Sequence, residues 1–139
     1  MAKKKVVLMS TGGTIVSSGE SSTQTTGYRL GELSINALLD QLPDLKNKIE
    51  LEQEAVSHVD SSSMTSEIWL KLARSVQAAA DREDVDAIVI THGTDTMEET
   101  AYFLHLILKT EKPVVITGAM RPATALSADG ILNLYNAFQ

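Results

Sequence analysis

The sequence predicts an α/β domain with a mainly parallel sheet flanked by helices. Three observations carry this. Apolar, β-rich runs recur four times along the chain; each stops at a loop rich in Gly, Ser or Thr; and each loop leads into a stretch of helical periodicity. A length of 139 residues suits one domain with a core of its own, here residues 1–139, and 43% hydrophobic with 22% charged residues is ordinary globular composition.

Lys4 to Ser10 reads as a buried first strand ending in the tight loop Thr11-Gly12-Gly13-Thr14. Residues 17–31 are Ser, Thr, Gly and Gln with almost no apolar side chains, the composition of a long mobile loop or lid. Tyr28 is its one large side chain, and a role anchoring the loop to the body stands open beside a functional one. Ser34 is placed to cap a short helix, Ile35 to Leu42, which Pro43 is expected to terminate. Glu50 to Val59 alternates as a second strand, with Leu51, Gln53, Ala55, Ser57 and Val59 on one side. Asp60-Ser61-Ser62-Ser63 leads into a helix whose apolar stripe is Ile68, Trp69, Leu72, Ala73, Val76 and Ala80. Asp81 to Asp84 is the polar stop.

Ala87 to Thr91 is the third strand, followed by His92-Gly93-Thr94-Asp95 and a helix packing Met97, Ala101, Leu104 and Leu108. Thr96 and Glu99 fit a capping box, in which the two side chains each accept a backbone N–H. Glu111-Lys112-Pro113 turns into a fourth strand, Val114 to Thr117. The loop Gly118 to Ala125 carries Arg121-Pro122. Ser127 is then expected to cap a helix with Ile131, Leu134, Tyr135 and Phe138 on one face. There is no repeat or low-complexity tract. Domains of this class usually continue past such a helix, so the sequence is expected to be truncated at its C-terminal end.

Charge and composition exclude several classes. A net charge of −6 and a pI near 5.0 supply no basic field for nucleic acid or an anionic membrane. Lys3-Lys4-Lys5 reads as the solvated start of the first strand. With no cysteine, disulfides and thiolate metal sites drop out. Val6 to Met9 is too short for a signal-peptide core, and no stretch reaches transmembrane length, which points to a cytoplasmic protein. A periplasmic one whose signal has been removed would look the same.

Loops after the strands of a parallel sheet open at one edge, where ligands bind. Thr14, Ser61, Ser62, Thr94 and Asp95 are therefore expected to converge, with backbone N–H groups from Gly12 and Gly13. Hydroxyls, N–H donors and one carboxylate suit a small zwitterion, and a hydroxyl could act as nucleophile if a base activates it. The first loop lacks GxGxxG and GxxxxGK[ST], so nucleotide binding is disfavoured. His92 and Asp95, three residues apart on one turn, are poorly placed for a Ser–His–Asp relay. His92 reads as a structural hydrogen-bonder, His58 and His105 as packing or surface residues, and no metal ligands pair up.

Thr11-Gly12-Gly13-Thr14-Ile15 and His92-Gly93-Thr94-Asp95-Thr96-Met97-Glu98-Glu99-Thr100 resemble the two signature motifs of the bacterial-type L-asparaginase family. Tyr28, Asp60 to Met64, Gly118 to Pro122, Ser127 to Gly130 and Asn133 to Asn136 fall in the family's order. The resemblance implies hydrolysis of L-asparagine, with L-glutamine as a possible weaker substrate, without cofactor or metal. Thr14 matches the family's nucleophile and Tyr28 the tyrosine that helps to activate it. Thr94 matches the second catalytic threonine, Asp95 the aspartate on the substrate's α-amino group, and Ser61 the serine on its α-carboxylate. Gly13 and Gly93 fall among the substrate-binding positions. Backbone N–H groups after Gly13 would stabilise an oxyanion.

Ser62 stands where many periplasmic members carry Gln or Glu, which leaves the asparagine–glutamine preference open. The family's active-site lysine and its smaller C-terminal α/β domain lie beyond residue 139, so the chain is expected to be the N-terminal part of such an enzyme. The family assembles as a homo-oligomer, a dimer of dimers. Two other classes stay open: a catalytically silent domain that binds an amino acid or assembles with a partner, and the asparaginase-like subunit of a tRNA-dependent amidotransferase.

Overall fold

Val6, Val7, Leu8 and Met9 are consecutive and all buried, so the strand that carries them must be covered on both faces. This is β1 (Lys4–Gly12). In the computed structural model, which describes residues 3–24, 29 and 34–139, it lies inside a four-stranded sheet. Its neighbours are β2 (Ile49–Val59) and β3 (Ala87–Thr91), and β4 (Val114–Thr117) pairs with β3. The order is β2-β1-β3-β4, and every pairing is parallel.

Strand alternation divides the apolar side chains between two cores. Val7, Met9, Ile88 and Ile90 face α3 (Ser66–Ala80) and α4 (Met97–Ile107), where Leu72, Val76 and Leu104 complete one layer. Val6, Leu8 and Val89 face the other way. They meet α1 (Ile35–Leu39), α2 (Pro43–Lys48) and α5 (Gly130–Ala137) through Leu38, Leu39, Leu45 and Leu134. The expected α/β architecture with a parallel sheet flanked by helices is present. The three later strands fall where the sequence placed them, β2 beginning one residue earlier at Ile49.

Three local expectations are corrected. The first helix ends at Leu39, and Pro43 opens α2 instead of terminating α1. A proline at the start of a helix lacks only an N–H that has no intrahelical partner there, so it starts a helix as readily as it stops one. Ser127 is not the cap of α5. Asp129 holds the N-cap position, and its carboxylate accepts the N–H groups of Met120 and Arg121 instead of one from its own helix. Lys4 and Lys5 are not merely solvated. Lys4 pairs with Asp86 at 2.8 Å and Lys5 with Asp84 at 2.9 Å, while Arg82 forks onto Glu52. The Arg82 guanidinium holds the Glu52 carboxyl below its ordinary range. This charged knot lies at the amino end of the sheet, away from the loops at its carboxyl edge.

Other starts follow sequence logic. Ser34 accepts the N–H of Ala37, and Thr65 accepts that of Ile68 at 3.3 Å to begin α3. No helix among the described residues is long and apolar enough to cross a membrane. Leu72 is fully buried between α3 and the sheet. A Leu72→Ala variant should lose about 2–5 kcal/mol, read as a lowered urea midpoint with an unchanged denaturant slope.

Candidate active site at the carboxyl edge of the sheet

From β1 the chain crosses to β2 on one side, and from β2 it crosses back over β1 to β3 on the other. The crevice between β1 and β3 is thus the switch point, the place where ligands enter sheets of this kind. The loops that leave these two strands touch through their backbones. A Cβ on Gly13 would sit 2.6 Å from the Gly93 nitrogen, and one on Gly93 would sit 2.6 Å from Ser61 Oγ. Gly13 also has φ +90°, a conformation that costs other residues steric strain. Only glycine satisfies both constraints.

Thr14 follows this contact immediately. It opens a single 3-10 turn, Thr14–Val16, and is buried. Its carbonyl accepts the N–H of Ser17 at 3.0 Å and the Ser17 hydroxyl at 2.6 Å. Ser61, also buried, opens a second 3-10 turn after β2 (Ser61–Ser63). Its hydroxyl oxygen accepts the Asp95 N–H at 3.1 Å. Thr96 donates its hydroxyl to the Ser61 carbonyl at 2.9 Å. The expected capping box is therefore not formed: Thr96 occupies the N-cap of α4 without a side-chain cap bond. A fixed carbonyl on the neighbouring loop takes the hydroxyl instead. Glu98 and Glu99 stay in the first turn of α4, where their charge suits the helix dipole.

The structure brings Gly13, Thr14, Ser61 and Gly93 together at the strand ends, with Thr94 and Asp95 directly following Gly93. Thr94 is half-buried and the Asp95 side chain is exposed. Ser62 is also exposed, and its N–H is taken by Asp60 Oδ1 at 3.4 Å. Tyr28 lies outside the described residues. Its sequence neighbour Arg29 forms a two-bond antiparallel bridge with Ser18, at 3.0 and 2.9 Å.

His92 is fully buried and both ring nitrogens are engaged. Nδ1 lies 2.7 Å from the Gly93 carbonyl. A carbonyl only accepts, so Nδ1 carries the proton and Nε2 is the acceptor. The Thr100 hydroxyl donates to Nε2 at 2.9 Å and accepts the indole N–H of Trp69 at 2.8 Å. Trp69 in turn stacks on Phe103. Burial lowers the His92 pKa, opposed in part by the bond to Gly93. This ring is a structural hydrogen-bonder, as expected, and is not free to act as a base. His58 and His105 are exposed. Among the described residues no three metal-ligating side chains cluster. A cavity of about 330 Å³ between α4 and β4 is lined by residues such as Leu104, His105 and Val114, and contains none of the candidate residues.

The family model described as "Asparaginase, N-terminal" matches residues 5–139. The chain belongs to the asparaginase family. It is 52% identical over 132 residues to a protein of Haemophilus influenzae named as a probable periplasmic L-asparaginase, covering 95% of this chain and 37% of that one. It is 51% identical to a glutaminase-asparaginase of Pseudomonas aeruginosa, over 95% of this chain and 36% of that protein. Its fold matches the crystal structure of a probable cytoplasmic L-asparaginase from Campylobacter jejuni with a TM-score of 0.92 at 48% identity, over 98% of this chain and 41% of that chain. This asparaginase chain thus spans well under half the length of these relatives.

Sequence reasoning did not single out several residues that shape the edge. Ser17 gives no signal, because a serine beside a polar loop looks solvated, yet it is fully buried. Asp129 and Asn133 build the loop after β4. Asn133 donates to the Gly118 carbonyl and to Asp129, each at 3.0 Å. Burial pushes the Asp129 pKa up, but the N–H groups of Met120 and Arg121 outweigh it and hold the carboxyl below its ordinary value. Their i, i+4 spacing could have revealed the pair.

Two outcomes follow. Gly13→Ala should disrupt the edge, since a Cβ would meet the Gly93 backbone; crystallography or amide exchange at 92–95 would show displaced loops. For His92, the unfolded ring titrates near 6.5 and the folded ring lower. Its contribution to stability is therefore full above 6.5 and is lost as pH falls from there towards the folded value. Compared by urea unfolding at about pH 7.5 and about pH 5.5, the native protein should lose more stability than His92→Asn.

Proposed function

We propose that this chain is the N-terminal catalytic domain of an amidohydrolase that converts L-asparagine to L-aspartate and ammonia, with L-glutamine as a weaker substrate. The observation that supports this most is the Gly13–Gly93 contact, which sets the Thr14 turn against the loop carrying Thr94 and Asp95. The names of the relatives, L-asparaginase and glutaminase-asparaginase, agree with it.

In this reading the Asp95 carboxylate receives the substrate's α-ammonium. Ser61, whose oxygen already accepts the Asp95 N–H, gives its own proton to the α-carboxylate, and Ser62 adds a second hydroxyl. The side-chain amide then lies over the β1–β3 crevice. Thr14 Oγ1 attacks the amide carbon as its proton passes to a base, a part assigned to Tyr28. Backbone N–H groups beside Gly13 stabilise the developing oxyanion. Collapse breaks the C–N bond, the nitrogen takes up a proton, and ammonia leaves a Thr14 ester. Water attacks that ester to release L-aspartate and restore the hydroxyl. Thr94 orients the attack from the opposite loop, and no cofactor is required.

A catalytically silent domain that binds the amino acid without turning it over is the competing reading. Ammonia release from L-asparagine, measured beside L-aspartate binding by calorimetry, separates the two: binding without release would favour the silent domain. A homo-oligomeric assembly, as a dimer of dimers, forms part of this proposal. Thr14→Ala should lower turnover by roughly a thousandfold or more with an unchanged circular dichroism spectrum. A folded Thr14→Ala protein with normal turnover would sink the nucleophile assignment.

A further inference from the structure

The turn that carries Thr14 is one 3-10 turn of three residues, preceded by a glycine with no side-chain cap. A single turn of this kind does not hold its own conformation. Its far end is held by Ser17, whose hydroxyl and N–H both bind the Thr14 carbonyl. Ser17 is itself held by the loop after β4. The Ala123 N–H donates to the Ser17 carbonyl at 3.0 Å. Next to it, the Gly19 N–H donates to Thr124 Oγ1 at 2.8 Å. Farther on, the Leu126 N–H donates to the Ser22 carbonyl at 2.9 Å. These three bonds clasp residues 17–22 to residues 123–126. The clasp is anchored in turn, because Asp129 fixes the N–H groups of Met120 and Arg121 at 3.0 Å each.

We propose that Ser17 and Thr124 are positioning residues for the nucleophile: the loop after β4 sets the aim of Thr14 through a hydrogen-bonded clasp. The assignment rests on the amidohydrolase reading above. The groups proposed to bind the amino acid belong to a different set. Ser61, Asp95 and Thr96 are bonded to one another across the β2 and β3 loops and take no part in the clasp. Loosening the clasp therefore slows the chemical step and leaves recognition of the α-carboxylate and α-ammonium intact.

The test uses the protein as it occurs naturally, measuring kcat for L-asparagine and the Kd for L-aspartate by calorimetry. Ser17→Ala should lower kcat about tenfold, the factor that corresponds to the net worth of one hydrogen bond, with Kd unchanged. Thr124 is exposed, so Thr124→Val tests the clasp even if Ser17→Ala fails to fold. It should lower kcat a few-fold, and Thr124→Ser, which keeps the acceptor oxygen, should restore it. A folded variant with native kcat overturns the assignment, as does an equal loss in kcat and in L-aspartate affinity, which would mark general loosening. If the native protein releases no ammonia from L-asparagine, the proposed function fails and this assignment with it. An active native protein with unaffected variants removes the assignment alone.

Discussion

Where β1 and β3 end, their two loops meet backbone to backbone. Gly13 lies against the Gly93 amide, and Gly93 lies against the Ser61 side chain, so loops from three adjacent strands meet with no room for a Cβ at either glycine. That approach requires β1 and β3 to be neighbours. Their adjacency comes from the order β2-β1-β3-β4, and that order is stable because β1 is apolar from Val6 to Met9 and needs a helix layer on both faces. A Cβ at either glycine would sit 2.6 Å from the facing loop, so the loops would have to move apart. Thr14, Thr94 and Asp95 all stand one or two residues beyond the contact, so any such shift is passed directly to them.

Around this contact the hydroxyls divide into two populations. Thr11 donates to the Thr91 carbonyl, Ser57 to that of Thr11, Ser17 to that of Thr14 and Thr96 to that of Ser61. These satisfy backbone acceptors that the irregular strand ends would otherwise leave unpaired in a buried place. Burial of His92 serves the same purpose, since its ring satisfies the Gly93 carbonyl. Ser62 and Asp95, by contrast, face outward. The polar richness of the four loops is thus mainly a means of building loop geometry, and only a minority of the groups is left to meet a ligand.

That division explains what could be read from the chain. Strands were legible because four apolar runs with abrupt polar ends have no other stable use in a domain of this size, and Gly13 and Gly93 marked the turns that end two of them; that the two turns touch was not legible. Pro43 misled because the same ring constraint serves a helix start and a helix stop, and only the path of the chain decides between them. Thr96 and Ser127 misled for a related reason. A capping motif describes local acceptors, whereas here a carbonyl 35 residues away took the Thr96 hydroxyl, and the Asp129 carboxylate took N–H groups 8 and 9 residues back. Ser17 left no trace because its burial depends on the loop after β4, which follows it by more than 100 residues. The assignment to Tyr28 falls outside the described residues.

The cross-links between loops are interleaved, and the interleaving has a consequence. The β2 loop is bonded to the β3 loop through Ser61, Asp95 and Thr96, straddling β1. The β1 loop is bonded to the β4 loop through Ser17, Ala123, Gly19 and Thr124, straddling β3. Each frame passes over a strand that belongs to the other, and they meet where Gly13 touches Gly93 and where Gly118 lies against His92 and Thr94. One frame holds the groups proposed to recognise an amino acid, and the other holds the hydroxyl proposed to attack. Because their hydrogen bonds are separate, substitution in one leaves the other's internal geometry standing. Because they share a rigid contact of backbone on backbone, the distance between recognition and attack does not depend on any flexible side chain. A sheet order that puts the first strand inside, with its neighbours added on alternate sides, is what allows two such frames to cross.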